Sequence, residues 1–244
     1  MMGTTKAPRA ERLFEQVARK IAIRAIQGKD LDGQMLPVEA DLCRELNVSR
    51  TVLREAIKTL SAKGMVNVRS KRGTNIRPRE QWNLLDPNVL EWHADCRTDD
   101  EAFIRDLCEV RQFLEPAAAE LAAERATPDE VTQLYEHLGE MAANVDVPEK
   151  FISADLKFHT NIFSSARNDL LRYIADAIGG ALRASRSITV LRPGSSSDSL
   201  PLHRSVADAI RHRDPISARA SMLYLVRSAA RDVYQVRLSN LETR

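Results

Sequence analysis

The sequence predicts a mainly α-helical protein in two parts, with a small β-hairpin in the first part. Residues that favour helices, above all Ala, Leu, Arg and Glu, dominate the 244-residue chain, whereas aromatic residues make up 5% of it. From about Asp99 onward, helical runs follow one another without strand-like alternation of useful length. Apolar and polar residues alternate around a basic, glycine-containing turn within residues 65–78, which predicts the hairpin.

Charge divides the chain into the same two parts. Residues 1–80 contain 17 Lys and Arg residues and 9 Asp and Glu residues, a net charge of +8. Residues 81–244 contain 19 and 25 of them, a net charge of −6. A basic head and an acidic body indicate that the head meets a polyanion and that the body does not.

Composition also predicts where the protein resides. No apolar run approaches the length that crosses a bilayer, and the first residues lack the apolar core of a leader peptide. The three cysteines include no CxxC pair, which argues against both a disulfide framework and a zinc ribbon. We therefore expect a cytoplasmic protein that has no membrane partner.

Three helices are predicted ahead of the hairpin. The first starts at Glu11, carries an apolar face and ends at Gly28. After the turn LDGQMLP, the stretch VEADLCREL predicts a short second helix. The third lies in SRTVLREAIKTLSAKG, where Ser49 is a favourable N-cap and Gly64 ends the helix. Its buried stripe comprises Leu53, Ala56, Ile57 and Leu60.

Such helices followed by a basic hairpin predict a winged helix-turn-helix, in which the start of the third helix enters the major groove of DNA. Arginine there can bridge guanine O6 and N7, and Ser or Thr can donate or accept hydrogen bonds. The hairpin tip would approach phosphates or the minor groove. The candidate DNA-binding residues are Ser49, Arg50, Thr51 and Arg54 at the helix start and Lys71, Arg72 and Gly73 at the tip. The alternative is a solvated helix face.

The body is predicted to be an all-α antiparallel helical bundle at residues 99–240, joined by a linker at 79–98 to a head at 1–78. The helical runs are residues 100–125, 129–144, 148–166, 169–188, 200–212 and 215–240. The stretch RPGSSSDS at residues 192–199 gives the longest loop signal, and it is a natural entry to a pocket.

Candidate metal-binding chemistry in the body centres on the stretch ADLKFHTNIF. Asp155 and His159 are four residues apart, so a helix presents both on one face, where they could hold a metal ion or a substrate. The alternative is a solvated carboxylate beside a buried histidine. His203, ahead of another amphipathic run, is a further candidate.

Two arginines of the body are candidates to bind an acid. Arg111 and Arg231 could each grip a carboxylate with two hydrogen bonds. Alternatively, Arg111 could pair with Glu115, four residues further on, and Arg231 could lie on a solvated face.

The stretch LPVEADLCRELNVSRTVLREAIKTLSAKGMVNVRSKRGTNI resembles the DNA-binding head of the GntR family of bacterial transcription regulators. The matching pattern is L-P-(S/A)-E, then V-S-R-x-x-(V/L)-R-E-A-(L/I), then G-(L/M)-(V/I) and a basic wing that ends in G-T. The resemblance implies a winged helix-turn-helix that binds double-stranded operator DNA. Ala40 stands where several relatives carry a DNA-contacting arginine, so we expect Arg50 and Arg54 to carry more of the recognition.

The order of polar residues in the body resembles the FCD ligand-binding domain of the FadR subfamily, with R-x-x-(L/F)-E, D-x-x-(F/Y)-H and a His before D-A-I-R-x-x-D. In many members, one Asp and three His bind a divalent metal ion whose coordination a carboxylate effector completes. The resemblance assigns Asp155, His159 and His203 as ligands here, whereas Leu225 stands where the last His is expected. Zinc is the expected ion, because imidazole nitrogen and carboxylate oxygen suit it, although they also suit nickel or manganese.

Three further segments, EQWNLLDPNVLEW, ERAT and DAIRHRD, resemble regulators of the galactonate-operon type, which respond to sugar acids. This implies a homodimeric repressor of sugar-acid catabolism genes, released when galactonate or a related aldonate binds beside the metal, and no enzymatic activity. Two alternatives stay open. One is a regulator that responds to a fatty-acyl group or another carboxylate, and the other is a metal-dependent hydrolase built on the same three ligands.

Overall fold

The computed structural model describes residues 12–28, 34–69, 73–96 and 101–242. The chain forms two compact units, residues 1–99 and 100–244. The first contains α1 (Leu13–Ile26), α2 (Glu39–Leu46), α3 (Arg50–Ala62), strands β1 (Val66–Arg69) and β2 (Gly73–Ile76), a short 3-10 helix (Arg79–Gln81) and α4 (Pro87–Asp95). The second contains α5 (Glu101–Arg125), α6 (Pro128–Ala142), α7 (Pro148–Ser165), α8 (Asp169–Thr189), α9 (Ser195–Arg211) and α10 (Pro215–Glu242). The prediction of a winged helix-turn-helix followed by a helical domain is confirmed. No helix in the described ranges is long and apolar enough to cross a membrane.

The N-cap of α3 determines where the helix begins, and its apolar stripe determines which face is buried. Ser49 Oγ accepts a hydrogen bond from the Val52 amide at 3.3 Å, which satisfies a backbone donor that has no partner within the helix. Leu53, Ala56 and Leu60 are buried in the core of the first unit, where α3 packs on α1. The opposite face of α3 therefore remains in solvent.

The wing is a two-stranded antiparallel sheet. Val66 pairs with Ile76 at its base, and Arg69 pairs with Gly73 at its far end. Val66 and Ile76 are both buried in the core of the first unit, whereas Arg69 and Gly73 are exposed. The core thus anchors the base of the hairpin and leaves its basic end in solvent.

Residues 79–96 complete the core of the first unit, which corrects the linker predicted from residue 79. Trp82 and Trp92 are 7% and 3% exposed and belong to the apolar cluster that contains α1 and α3. The segment also lies against the end of α3, where Gly64 has a φ of +75° and a Cβ would overlap the carbonyl oxygen of Gln81. The division between the two units therefore comes after α4 rather than before it.

The core of the second unit lies between α5 and the helices around it, α7, α9 and α10. Small side chains on α5 allow these helices to approach closely. The fully buried alanines of α5 are Ala118, Ala119, Ala122 and Ala123. Phe158 of α7 and Met222 of α10 fill the space beside them, each fully buried. This packing fixes α7 and α9, which carry the candidate metal ligands.

The predicted loop at residues 192–199 is mostly helical, which corrects that prediction. Helix α9 begins at Ser195, directly after Gly194, whose φ of +79° lies in the left-handed region that glycine adopts without strain. Serine is a loop signal in sequence. Here the hydroxyls of Ser197 and Ser199 each donate to a backbone carbonyl three residues earlier, so they fit within the first turns of α9.

Candidate functional site

The start of α3 gathers four of the predicted DNA-contacting residues on one exposed surface. Ser49, Arg50, Thr51 and Arg54 all face solvent, and the side chains of the two arginines are 72% and 66% exposed. Glu39 of α2 lies beside both arginines, with Oε2 at 3.2 Å from Arg54 Nε and Oε1 at 3.9 Å from Arg50 Nε. Exposed ion pairs of this kind add little stability.

The wing supplies one described residue to the predicted interface. Gly73 opens β2 with a φ of +88°, in the left-handed region. Lys71 and Arg72, which we predict at the tip of the wing, lie outside the described residues. Ala40 is exposed on α2 and presents no charged group.

The three candidate metal ligands meet in the interior of the second unit. Asp155 and His159 of α7 and His203 of α9 are 6%, 3% and 2% exposed. One ligand atom from each lies within 4.8 Å of the other two. Asp155 Oδ1 is 2.9 Å from His203 Nε2 and 3.7 Å from His159 Nε2. The structure thus brings the predicted residues together, and the alternative of a solvated Asp155 is excluded by its burial.

The protonation of His203 leaves a lone pair that faces Asp155. His203 Nδ1 lies 2.8 Å from the backbone carbonyl of Ser199, and because a carbonyl only accepts, Nδ1 carries the proton. Burial, reinforced by the neighbouring His159, lowers the pKa of His203 to about 3, so the ring is neutral near pH 7. Nε2 is then an acceptor that faces another acceptor, Asp155 Oδ1. A metal cation between them resolves this repulsion, so the donor set fits a divalent ion.

His159 is oriented by a buried carboxylate. Its Nδ1 lies 2.6 Å from Glu115 Oε2, which directs Nε2 toward Asp155. Arg111 Nε donates to Glu115 Oε1 at 2.6 Å, and both of these side chains are almost fully buried. Burial alone would raise the pKa of Glu115, but Arg111, and then His159, outweigh it and hold that pKa well below its usual range. A carboxylate behind a ligating histidine is the usual support of a metal site.

Arg186 is a site residue that the sequence analysis missed. It is 5% exposed on α8, and its Nε contacts Asp155 Oδ2. Burial, and then the charge of Arg111, lower the pKa of Arg186 to about 9, which still leaves it charged at neutral pH. One signal could have found it: Arg186 continues the apolar series Ile178 and Leu182 at a spacing of four residues, where a charged residue is unexpected.

The ligands line a cavity of about 50 Å³, and Arg192 is the third arginine in its wall, after Arg111 and Arg186. Arg192 lies in the turn before α9, and its Nε is 2.7 Å from Asp232 Oδ1 on α10. Its Nη2 is 3.0 Å from Asp198 Oδ2. Ser195 and Ser199 also line the cavity, together with apolar residues such as Leu202, so its wall is mixed in polarity.

The structure places Leu225 in the wall of the cavity and Arg231 outside it. Leu225, at the position where a fourth ligand is expected, lines the cavity and is 4% exposed, so it contributes an apolar wall. Arg231 lies outside the cavity: it is exposed, with its guanidinium carbon 5.9 Å from the ring centre of Tyr224. Of the two arginines named as candidates to bind an acid, Arg111 therefore lines the cavity, whereas Arg231 lies on a solvated face. Arg186 and Arg192 line the cavity with Arg111 instead.

Comparison with known proteins assigns both units. Residues 13–76 match the family model of bacterial regulatory proteins of the gntR family, and residues 106–228 match the FCD domain. The chain is 34% identical to the galactonate operon transcriptional repressor of Escherichia coli K12 over 91% of this chain and 97% of that protein.

Two solved structures are similar to this chain over most of its length. The Streptococcus agalactiae GntR structure is 27% identical, with a TM-score of 0.50, over 89% of this chain and 99% of that one. The structure of Lar, described as controlling the expression of the Listeria monocytogenes agr system, has a TM-score of 0.61 over 93% of this chain and 99% of that one. At 19% identity, Lar shows a likeness of fold alone. This protein is a transcription regulator and not an enzyme, and it belongs to the GntR family, with a winged helix-turn-helix that binds DNA and an FCD domain.

Proposed function

We propose that the protein is a repressor of sugar-acid catabolism genes, and that galactonate or a related aldonate releases it from its operator. The acid binds in the cavity of the FCD domain together with a divalent ion. The observation that carries this proposal is the convergence of Asp155, His159 and His203 beside two buried arginines in one cavity. The likeness to a repressor of a galactonate operon supports the choice of acid.

Asp155, His159 and His203 would hold the ion. Imidazole nitrogen and carboxylate oxygen suit zinc, and they also suit nickel and manganese. Because Leu225 supplies no ligand, three protein ligands leave coordination positions for oxygen atoms of the acid. The bound ion would supply positive charge that attracts the carboxylate and hydroxyl groups of an aldonate.

The charge of the lining favours an acid over an apolar effector. Arg111, Arg186 and Arg192 all line the cavity, and buried anions need such partners. A fatty-acyl effector needs a wide apolar tunnel instead. The cavity of about 50 Å³ is small beside typical ligand pockets of about 300 Å³ or more, so an aldonate must widen it.

Features of both units support a homodimer. Helix-turn-helix dimers bind operators with two related half-sites. The FCD domain exposes large apolar side chains on two helices, Phe113 of α5 at 76% and Leu170 and Tyr173 of α8 at 76% and 63%. Exposed apolar surface of this kind marks interaction sites, so we propose that it supports self-association.

A screen by thermal shift tests the proposal directly. Aldonates, short hydroxy acids and fatty acids are compared with and without a chelator. An acid at 100 times its Kd should stabilise the folded protein by about 2.7 kcal/mol. Stabilisation by an aldonate that the chelator removes supports the proposal. Stabilisation by fatty acids alone favours the fatty-acyl alternative, and an effect of the aldonates that survives the chelator removes the metal from the proposal.

The exposed arginines of α3 should carry operator specificity. Arg50→Ala or Arg54→Ala is expected to weaken operator binding by about 1–3 kcal/mol, because a bidentate contact to guanine is lost, with a smaller effect on random DNA. The measurement is fluorescence anisotropy on both DNAs at several salt concentrations. Arg219→Ala, an exposed arginine of α10, is the control. Equal losses on operator and random DNA would show that the arginine contacts phosphate and reads no base.

A further inference from the structure

Both carboxylate oxygens of Asp155 have a partner in the structure. Its Oδ1 faces the Nε2 atoms of His159 and His203, and its Oδ2 contacts Arg186. Arg186 is therefore a fixed positive charge directly beside the place where the three ligands converge. A divalent cation that enters there meets this charge at short range in a buried site, where electrostatic interactions are strong.

The guanidinium of Arg186 also has N–H donors that are weakly used or unused. Its Nη1 donates weakly to the Leu182 carbonyl at 3.4 Å, and its Nη2 is buried without a hydrogen-bond partner among the described residues. Arg186 lines the cavity. A buried guanidinium with an unused donor group, at the wall of a cavity, points to a ligand that accepts hydrogen bonds, and a carboxylate is the best match.

The charges of the cluster balance without any added ion. Arg111 and Arg186 carry two positive charges, and Glu115 and Asp155 carry two negative ones. A divalent ion alone leaves two excess positive charges in a buried site. An ion that arrives with an anionic acid leaves fewer, so each is expected to favour the binding of the other.

We propose that Arg186 is an internal counter-ion of Asp155 whose charge opposes the binding of the divalent ion alone, and that its unused donors bind the carboxylate of the acid. The proposal rests on the ion site of the proposed function and adds how the ion and the acid are coupled. Arg186 weakens the binding of the ion alone and strengthens the binding of the acid to the ion-loaded protein. The site therefore responds to the acid rather than to the ion by itself.

The proposal predicts that one substitution of Arg186 changes the affinities for zinc and for the acid in opposite directions. Arg186→Gln removes the charge, so zinc alone should bind at least about tenfold more tightly than to the wild type. Galactonate at saturating zinc should bind at least about tenfold more weakly, because a bidentate partner is lost. Arg183→Gln is the matched control, because Arg183 lies on the same helix with 51% of its side chain exposed.

Isothermal titration calorimetry on the full chain measures both affinities, and circular dichroism checks that each variant is folded. Arg186→Met, which keeps the length of the side chain without its charge, serves if the Gln variant does not fold. Tighter zinc binding together with weaker galactonate binding supports the proposal. Zinc binding that is unchanged, weaker or absent in both proteins overturns it, and so does unchanged galactonate binding.

Failure of this inference is distinguishable from failure of the proposed function. Release of the wild-type protein from DNA by an aldonate is measured without any Arg186 variant. A protein that releases DNA normally, but whose zinc affinity does not respond to Arg186→Gln, keeps the proposed function and loses this inference.

Discussion

Replacing Arg111 by alanine is expected to lower the free energy of unfolding of the FCD domain by about 3–5 kcal/mol, because it strands a buried charge. Glu115 is 1% exposed and would keep its carboxylate without the guanidinium that pairs with it at 2.6 Å. The measurement is denaturant unfolding of the full chain followed by two signals. Both tryptophans, Trp82 and Trp92, lie in the first unit, so their fluorescence reports that unit, whereas far-UV circular dichroism also reports the FCD domain.

The double variant Arg111→Ala/Glu115→Ala provides the control. Removing both partners leaves no stranded charge at this pair, so it should cost less than the sum of the two single changes. Since Arg111 and His159 hold the pKa of Glu115 well below its usual range, the wild type gains stability above the unfolded pKa of about 4.3. That gain is lost as pH falls through the lower folded pKa, and the double variant should lack this dependence. A loss below about 0.5 kcal/mol in Arg111→Ala, as for an ordinary surface change, would contradict the account.

This result bears on how the acid site is tested. Loss of the effector response in Arg111→Ala can follow from a weakened FCD domain as well as from a lost contact with the acid. Arg111 also donates to Ser185 Oγ at 3.3 Å, so it holds α8 in place. Arg192 is a better position at which to test acid binding, because its side chain is 26% exposed and its partner Asp198 is 64% exposed.

Replacing His159 by alanine is expected to lower the affinity for a divalent ion at least about 100-fold. Loss of a residue that only supports a ligand costs about 10–100-fold, and His159 is itself one of three proposed ligands. Elemental analysis of the purified proteins and zinc titration against a competing dye measure the effect. His212→Ala is the control, because His212 is exposed at the end of α9. Equal ion content and equal affinity in wild type and His159→Ala would show that the imidazole binds no ion.

The features that the sequence predicted correctly depend on local patterns. The N-cap Ser49 and the apolar stripe of α3 define that helix, and the positions off the stripe place Arg50 and Arg54 in solvent. Local patterns of apolar and polar residues likewise predicted the wing and the helices of the second unit. Asp155 and His159 could be paired in advance because four residues of helix bring them to one face.

The features that the sequence did not reveal depend on contacts between distant segments. Arg186 reaches Asp155 only because α8 packs beside α7. Trp82 and Trp92 join the core of the first unit through contacts with earlier helices, and nothing in the local pattern distinguishes them from residues of a linker. Arg231 is a charged residue on a long helix, and its direction is set by the packing of α10 on α5 and α9.

The most direct measurement of the central claim is release of DNA by an acid bound in the FCD domain. The protein is first used to select its operator from a pool of random DNA, and binding is then followed by fluorescence anisotropy as galactonate and other aldonates are added. An effector acts only through its different affinities for the two states of the regulator, so release requires that the acid bind the free form more tightly. We predict that at least one aldonate weakens operator binding about tenfold or more in the presence of zinc and has little effect after chelation. Operator binding that no aldonate changes, with or without zinc, would contradict the account.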